Sequence, residues 1–304
     1  MRLTVEDAAE LTAAVERLGV DDPWVLAGAA QAAFVSGDLQ RSGTLCRKVE
    51  EQASSGVSVP WLVRWVHGSI PMFTGDAAAS RRRFEASLEA VSDPWERAFL
   101  RTAVAFSAAN NGDDDAAALA SDTVATAREL GNPTCLSWAL CAFGAALTED
   151  DPAAALDAHE EALALALAVA NQVTAGLARP RIAALRSRLS TGSMPRALAA
   201  ELDEWQRRGN RSHAAELVAL AMPVLVAAQD HRTVAVLVGA VGDAAGFGLQ
   251  LPSERDRIAT AVATARAELG ARGFAAARVE GGRMGVDAAV TLARSALRHI
   301  ARES

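Results

Sequence analysis

A short turn pattern recurs about every 37 residues along this chain, and it constrains the fold more than any other feature. Each copy is a glycine or polar residue followed by Asp or Ser, and the copies begin at residues 37, 75, 112, 149, 192 and 229. Small residues recur in the same register before and after these turns, namely Ala30, Gly68, Ala105, Ala142, Ser42, Ser80, Ala117, Ala154, Ala197 and Val234. Two markers in one register predict a repeated structural unit.

The repeated unit is predicted to be a pair of antiparallel α-helices. The chain contains about 70 alanines and only 5% aromatic residues, which favours helices over strands. Pro-Trp pairs begin at residues 23, 60 and 94, where a proline suits the first helical turn. Glycine at the turn ends the first helix, and the following Asp or Ser caps the second. The small residues allow the two helices of a pair to cross closely, and we expect an all-α protein.

This register resembles the tetratricopeptide repeat, with a small residue before the turn, Gly-Asp at the turn and a small residue early in the second helix. Phe84 and Trp138 stand where that family has large consensus aromatics. The match covers residues 20 to 245, although the period is longer than in the family and the last two turns lack Gly-Asp. The resemblance implies an α-α superhelix, or solenoid, of about six helical hairpins.

The sequence after Pro252 differs from the repeats and predicts a C-terminal helical cap. A long helix is expected from residue 253 to a stop at Leu269-Gly270, and a final helix from Asp287 to about residue 300. We therefore predict a repeat array over 1–250 and a cap over 251–304. With Phe274 and Glu280-Gly281 between them, these segments resemble the end of the helical-repeat arm in actinobacterial LuxR-type and adenylate-cyclase-linked ATPase regulators.

Those regulators also carry an ATPase domain and often a DNA-binding helix-turn-helix, to which the resemblance does not extend. Lys48 is the only lysine and lies outside any glycine-rich turn, so it cannot serve a phosphate-binding loop. We expect the chain to be the repeat arm alone, as a stand-alone protein or an excised domain. The resemblance implies a sensor arm of a bacterial transcriptional regulator, and the alternative is a scaffold or adaptor that holds a partner without switching.

Charge and composition limit which partners and which cellular compartment are expected for this protein. The net charge of −7 disfavours direct binding to nucleic acid. Three cysteines without metal-ligand spacing argue against disulfides and zinc. The N-terminus does not resemble a signal peptide, and no apolar run is long enough to span a bilayer. We therefore expect a cytoplasmic protein, with no membrane contact and with homodimer formation left open.

Catalytic motifs are weak in this sequence, so no enzyme activity, cofactor or metal is predicted. His159-Glu160-Glu161 lacks a second histidine at metalloprotease spacing. The acidic residues at 113–115 and 149–151 fall on turns, where carboxylates cap helices. The glycines at 239, 242, 246 and 248 do not follow a strand, so a packing seam explains them better than a dinucleotide site.

The first helix of each hairpin is expected to line the concave face of the solenoid. A protein or peptide partner, or a small apolar ligand with an acidic group, would bind in this groove. The alternative is that these side chains are ordinary core residues, because aromatic residues at helical spacing usually are. The residues predicted to line the groove are Trp24, Phe34, Trp65, Phe73, Phe99, Phe106, Asn110, Phe143, Arg179 and Arg186.

Overall fold

A computed structural model of the chain describes residues 5–53, 58–189, 193–208, 214–241 and 250–303, and these residues form fifteen α-helices without a strand. The all-α prediction is therefore confirmed. The helices are α1 Val5–Arg17, α2 Pro23–Ser36, α3 Leu39–Ala53, α4 Trp61–Phe73, α5 Ala77–Glu89, α6 Pro94–Asn111, α7 Ala116–Leu130, α8 Pro133–Leu147, α9 Pro152–Ala168, α10 Gln172–Arg188, α11 Met194–Arg208, α12 Ala214–Ala227, α13 His231–Val241, α14 Pro252–Gly281 and α15 Val286–Glu303.

The predicted turns fall between consecutive helices, and their backbone has the expected form. Gly37 and Gly112 adopt left-handed φ values of 87° and 80° and end α2 and α6. Asp76 caps α5 by accepting a 2.7 Å hydrogen bond from the backbone N–H of Ala79. Positive φ is costly for a residue with a Cβ, which explains why glycine recurs at these turns. Of the fifth predicted turn, residues 192–194, Gly192 lies outside the described residues, and α11 begins at Met194.

In each of the first two hairpins, a serine on the second helix donates a hydrogen bond to the backbone of the small residue on the first helix. The buried Ser42 hydroxyl donates to the carbonyl oxygen of Ala30 at 2.9 Å, and Ser80 donates to that of Gly68 at 2.6 Å. A short hydroxyl side chain can make this bond only where two helix backbones approach closely. These two pairs lie in the predicted register, so the sequence located the crossing points of these hairpins.

In the next two hairpins the buried residues differ from the predicted ones by one position, earlier in the third hairpin and later in the fourth. Ala117 and Ala154, predicted at the crossings, are half-exposed, whereas Ala116 and Ala155 are buried. At the fourth turn the capping side chain is Asp151 and not the Asp150 that the pattern suggested. A cap one residue later moves the buried face of α9 one residue on, to Ala155, but it does not explain the earlier position of Ala116 in α7.

Gly68 is required by the packing of the second hairpin. A Cβ at this position would lie 2.3 Å from the ring of Phe84, which is fully buried. We expect Gly68→Ala to lower the free energy of unfolding by about 1–3 kcal/mol because a closed core cannot absorb this overlap. Gly43→Ala is the matched control, because its Cβ would make only ordinary 3.5 Å contacts. Equal midpoints for the two variants in urea denaturation would contradict this account.

Neighbouring pairs contact one another in chain order. The first helices of the hairpins contact one another in the order α2, α4, α6, α8 and α10. The second helices α3, α5, α7, α9 and α11 each pack against the first helix of the following hairpin. The buried side chains form three clusters, which centre on α1–α4, α4–α10 and α11–α15. The described helices also include none that is both long and apolar enough to cross a membrane.

The C-terminal helices pack on the preceding hairpins and share their core. Helix α14 contacts α12 and α13, and α15 contacts α11 to α13. The start of α14 also reaches the earlier turns, since the Arg255 guanidinium donates to the Asn110 carbonyl oxygen at 3.0 Å. The backbone breaks at Gly270, with φ 66° and ψ 164°, where the sequence predicted a helix stop, and the helix then resumes. Residues 242–249 lie outside the described ranges, so the division at 250/251 stays a prediction.

Candidate functional site

Eight aromatic rings form one continuous chain of contacts across the first helices of four hairpins. Phe34 on α2 meets Trp65 on α4 with ring centroids 5.7 Å apart, and Trp65 meets Phe99 on α6 at 6.4 Å. Phe99 then stacks at 6.2 Å on Trp138 of α8. The remaining members of this aromatic chain are Trp61, Phe73, Trp95 and Phe106. These eight are more than half of the 14 Phe and Trp residues of the protein.

A cavity of about 270 Å³ lies against this chain of aromatic rings, and we call it the aromatic cavity. It is formed where the N-terminal halves of α4, α6 and α8 meet the start of α10, with one residue from α2. Among the described residues no charged side chain lines it. Its lining residues are Gln31, Trp61, Leu62, Trp65, Trp95, Phe99, Thr134, Trp138, Asn171, Val173 and Thr174.

A second and much smaller cavity of about 30 Å³ adjoins the first and shares Gln31, Trp65, Trp138 and Val173 with it. Trp138 is only 7% exposed, and its indole N–H is buried without an acceptor among the described residues. The side-chain oxygen of Gln31 is likewise buried without a donor there. A buried donor and a buried acceptor left without partners are costly, and both of these residues line the same cavities.

The structure brings half of the predicted groove residues to these cavities. Trp65 and Phe99 line the aromatic cavity, and Phe34, Phe73 and Phe106 line the smaller one. Phe34 and Phe106 are almost fully buried, so they act there from within the core. Their role in binding stays a prediction, but their placement agrees with a groove whose floor is apolar.

The other predicted residues lie elsewhere. Trp24 is 64% exposed at the start of α2, and Phe143 packs against the core from α8. Asn110 is buried, and its amide donates to the Phe106 carbonyl oxygen at 2.7 Å. Arg179 lies 3.9 Å from Glu201 on α11, and Arg186 lies 2.7 Å from Glu160 on α9. The two arginines therefore face neighbouring helices and do not line the aromatic cavity.

Sequence reasoning does not find three tryptophans of the site. In the sequence, Trp61 and Trp95 each follow a proline and indicate helix starts, and Trp138 contributes only to the resemblance to the tetratricopeptide repeat. The predicted groove positions lie at fixed distances in sequence before each turn. Because α4 has 13 residues and α6 has 18, the same distance from the turn falls at different heights along the two helices. Counting forward from the helix starts finds Trp61, Trp65, Trp95 and Phe99.

The three buried cysteines and His159 are unsuited to nucleophilic or acid-base chemistry at neutral pH. Burial raises the pKa of the Cys46 and Cys141 thiols to about 12 and that of Cys135 to about 11, so all three are protonated at neutral pH. Burial, helped by Arg181, lowers the pKa of His159 to about 3. Within the described ranges no group of three or more His, Cys, Asp or Glu side chains could hold a metal ion.

Comparison with known proteins adds no family assignment: no family and no curated protein matches this chain. An uncharged cavity walled by four tryptophans and one phenylalanine, with few polar atoms, is suited to holding an apolar group and orienting it by hydrogen bonds.

Proposed function

We propose that this chain is a non-enzymatic, cytoplasmic α-solenoid of tetratricopeptide-like hairpins that binds an apolar group in the aromatic cavity. The group is a small ligand or a side chain of a peptide or protein partner. The observation that carries the proposal is the 270 Å³ cavity, whose lining residue Trp138 buries an indole N–H without an acceptor among the described residues. A cavity of about 150 Å³ is enough for benzene, so this one has room for a larger ring system.

The lining indicates an uncharged ligand. The sequence suggested an acidic group next to arginine, but Arg179 and Arg186 are paired with Glu201 and Glu160 away from the cavity. An anion would enter a site whose described lining offers it no cation, and desolvation of a charge without a partner is expensive. A neutral apolar group would fit the tryptophan walls, and the side chains of Gln31, Thr134, Asn171 and Thr174 in the lining offer it hydrogen-bonding groups.

The sensor role rests on the number of helices that meet at the cavity. Four consecutive first helices and the start of a fifth contribute side chains, so a ligand would touch several hairpins at once. In a repeat array, small rotations between neighbours add up to a change in curvature. A ligand that prefers one curvature would shift the array toward it, and an attached or associated output domain could respond. A scaffold would bind without this shift.

Binding can be tested with N-phenyl-1-naphthylamine, a neutral apolar fluorophore, titrated into the full chain. We expect saturable enhancement of its fluorescence, and about tenfold weaker affinity for Trp65→Ala because a large wall of the cavity is lost. Trp24→Ala is the matched control, since this tryptophan is exposed and lines neither cavity. Equal weakening by both variants, or no binding by the wild type, would overturn the proposal.

A second variant separates loss of the site from loss of the fold. Val173 is half-exposed and lines both cavities, so Val173→Phe adds volume to the site without removing apolar contacts. We expect this variant to retain its thermal midpoint and to lose affinity for the fluorophore. Retained affinity in a folded Val173→Phe variant would place the binding elsewhere.

Amide hydrogen exchange distinguishes the sensor from the scaffold. With the fluorophore bound, a sensor is expected to show changed exchange in α11 to α13, which contribute no residue to the aromatic cavity. A scaffold is expected to show protection only in the helices that line the cavity. Protection confined to those helices would reject the sensor role and leave the binding role intact.

A further inference from the structure

A separate cavity of about 230 Å³ lies where the repeat hairpins meet the C-terminal helices. We call it the junction cavity. It is bounded by the end of α8, by α10, by the start of α11, and by α12 and α14. None of its described lining residues lines the aromatic cavity. Its lining residues are Thr148, Arg181, Ala184, Leu185, Arg188, Met194, Leu220, Pro223, Val224, Glu254, Arg257 and Ile258.

The charges of the junction cavity are unbalanced in favour of cations. Among the described residues, three arginines line it but only one carboxylate does, that of Glu254. Arg181 and Glu254 are both about 5% exposed at their side chains and lie 4.0 Å apart. Arg188 lies 3.1 Å from Glu149 and also donates to the Thr148 carbonyl oxygen at 2.7 Å. Two of the three guanidinium groups thus have acidic partners.

The third arginine, Arg257, makes no ion pair with any residue in the described part of the chain. It is exposed on α14, one helical turn after Glu254. Glu216 lies near Arg181 and Glu254, but it adds little negative charge at neutral pH, because burial raises its pKa to about 8. The junction cavity therefore carries about one unit of positive charge that the described protein does not neutralise.

Apart from Thr148, the rest of the described wall is apolar. Leu185 and Ile258 are buried, and Leu220, Pro223 and Val224 of α12 complete this side. A ligand with an apolar body gains by leaving water there, while one negative group can pair with Arg257. Since about 150 Å³ holds benzene, the cavity has room for a ring or short alkyl chain that carries a carboxylate.

We propose that the junction cavity binds a small monocarboxylate with an apolar body, oriented by the guanidinium of Arg257 and seated against α10, α12 and α14. A single carboxylate matches both the one unpaired cation and the planar geometry of guanidinium. Phosphate, which has no apolar body and carries more than one charge near neutral pH, fits the site less well. A ligand at this position would touch the repeats and the C-terminal helices together.

The test uses benzoate as the probe and benzyl alcohol as its uncharged counterpart, with binding to the full chain measured by calorimetry. We expect benzoate to bind more tightly than benzyl alcohol. We also expect Arg257→Gln to lower the affinity for benzoate about tenfold and to leave the affinity for benzyl alcohol unchanged. Arg272→Gln is the matched control, because Arg272 is exposed on the same helix and does not line the cavity. Arg257→Lys keeps the charge and is expected to restore part of the affinity.

Three outcomes would overturn the inference. The first is equal affinity for benzoate and benzyl alcohol in the wild type. The second is displacement of benzoate by inorganic phosphate at equal concentration, which would indicate a simple anion site. The third is a benzoate affinity that Arg257→Gln leaves unchanged while Trp65→Ala lowers it, because benzoate would then occupy the aromatic cavity. Failure of the fluorophore experiment leaves this test unaffected, since none of the described residues lines both cavities.

Discussion

Replacing Gly281 with alanine is expected to lower the free energy of unfolding by about 3 kcal/mol or more, because a methyl group has no room at this helix crossing. Gly281 is the last residue of α14, and a Cβ there would lie 1.8 Å from the carbonyl oxygen of Val236 on α13. The obstacle is backbone, which cannot move aside as a side-chain end can. The two helices would have to separate, and both belong to the buried cluster of α11–α15.

The same contact can be tested from the other helix. A Cβ on Gly239 of α13 would lie 2.0 Å from the carbonyl oxygen of Arg278, so Gly239→Ala is expected to be about as damaging. The double variant should lose less than the sum of the two, because either substitution alone already separates the helices. The sequence favours a packing seam at Gly239, and this contact agrees with that interpretation.

Gly273→Ala is the matched control within α14. Its Cβ would meet only the Leu269 side chain at 3.5 Å, and alanine is the better helix former, so we expect an unchanged or slightly higher stability. Chemical denaturation monitored by circular dichroism measures all three variants. A Gly281→Ala midpoint equal to that of Gly273→Ala would mean that α13 and α14 do not cross at these glycines.

The second large effect expected is a dependence of stability on pH that arises from His159. This side chain is fully buried, its Nδ1 lies 3.9 Å from the sulfur of Cys141, and its Nε2 has no partner among the described residues. Its pKa falls from 6.5 to about 3 in the folded protein. A group with a lowered pKa stabilises the fold above its unfolded pKa, and this contribution is lost as the pH falls toward the folded pKa. Between pH 7 and pH 5 the loss is about 2 kcal/mol.

His159→Phe removes this dependence. The position suits a phenyl ring, because His159 packs against Gly144 in the fourth hairpin as Phe84 packs against Gly68 in the second. We expect the difference in unfolding free energy between the variant and the wild type to grow by about 2 kcal/mol in favour of phenylalanine from pH 7 to pH 5. His299→Gln serves as the control, since His299 is 65% exposed.

The quantity to measure is the difference in unfolding free energy between His159→Phe and the wild type, because Glu216 changes the stability of both proteins with pH in the opposite direction. Its pKa is raised from 4.5 to about 8, so its contribution is complete below 4.5 and is lost as the pH rises through 8. Over pH 5 to 7 the slopes of the two groups oppose each other in the wild type. Parallel pH profiles for the wild type and His159→Phe would contradict the burial of a neutral imidazole.

Local signals predicted the helices and many of their ends. Asp22 and Asp93 cap α2 and α6 directly before the prolines that the sequence placed at the first turn, because capping depends on a few neighbouring residues. The crossings Ser42–Ala30 and Ser80–Gly68 were also predictable, since their register follows from the turn. In the third and fourth hairpins Ala116 and Ala155 are buried in place of the predicted Ala117 and Ala154, and the turn pattern did not predict these shifts in opposite directions.

The candidate site was predictable only in part. The sequence placed the aromatic residues on the first helices, where Trp65 and Phe99 line the aromatic cavity. It did not predict that Trp61, Trp95 and Trp138 would share that cavity, because the levels at which helices of different length meet depend on how they pack. Arg179 and Arg186 were expected in the groove. In the structure they instead form ion pairs with Glu201 on α11 and Glu160 on α9.

By itself, therefore, the sequence determined an all-helical chain with recurring turns and an aromatic first helix in several hairpins, because propensity, capping and periodicity act over a few residues. Only the tertiary structure decided that Gly239 and Gly281 lie at one crossing of α13 and α14, that His159 is buried, and that three arginines line the junction cavity. Those features join residues far apart in the chain, and their positions depend on the accumulated geometry of all the helices between them.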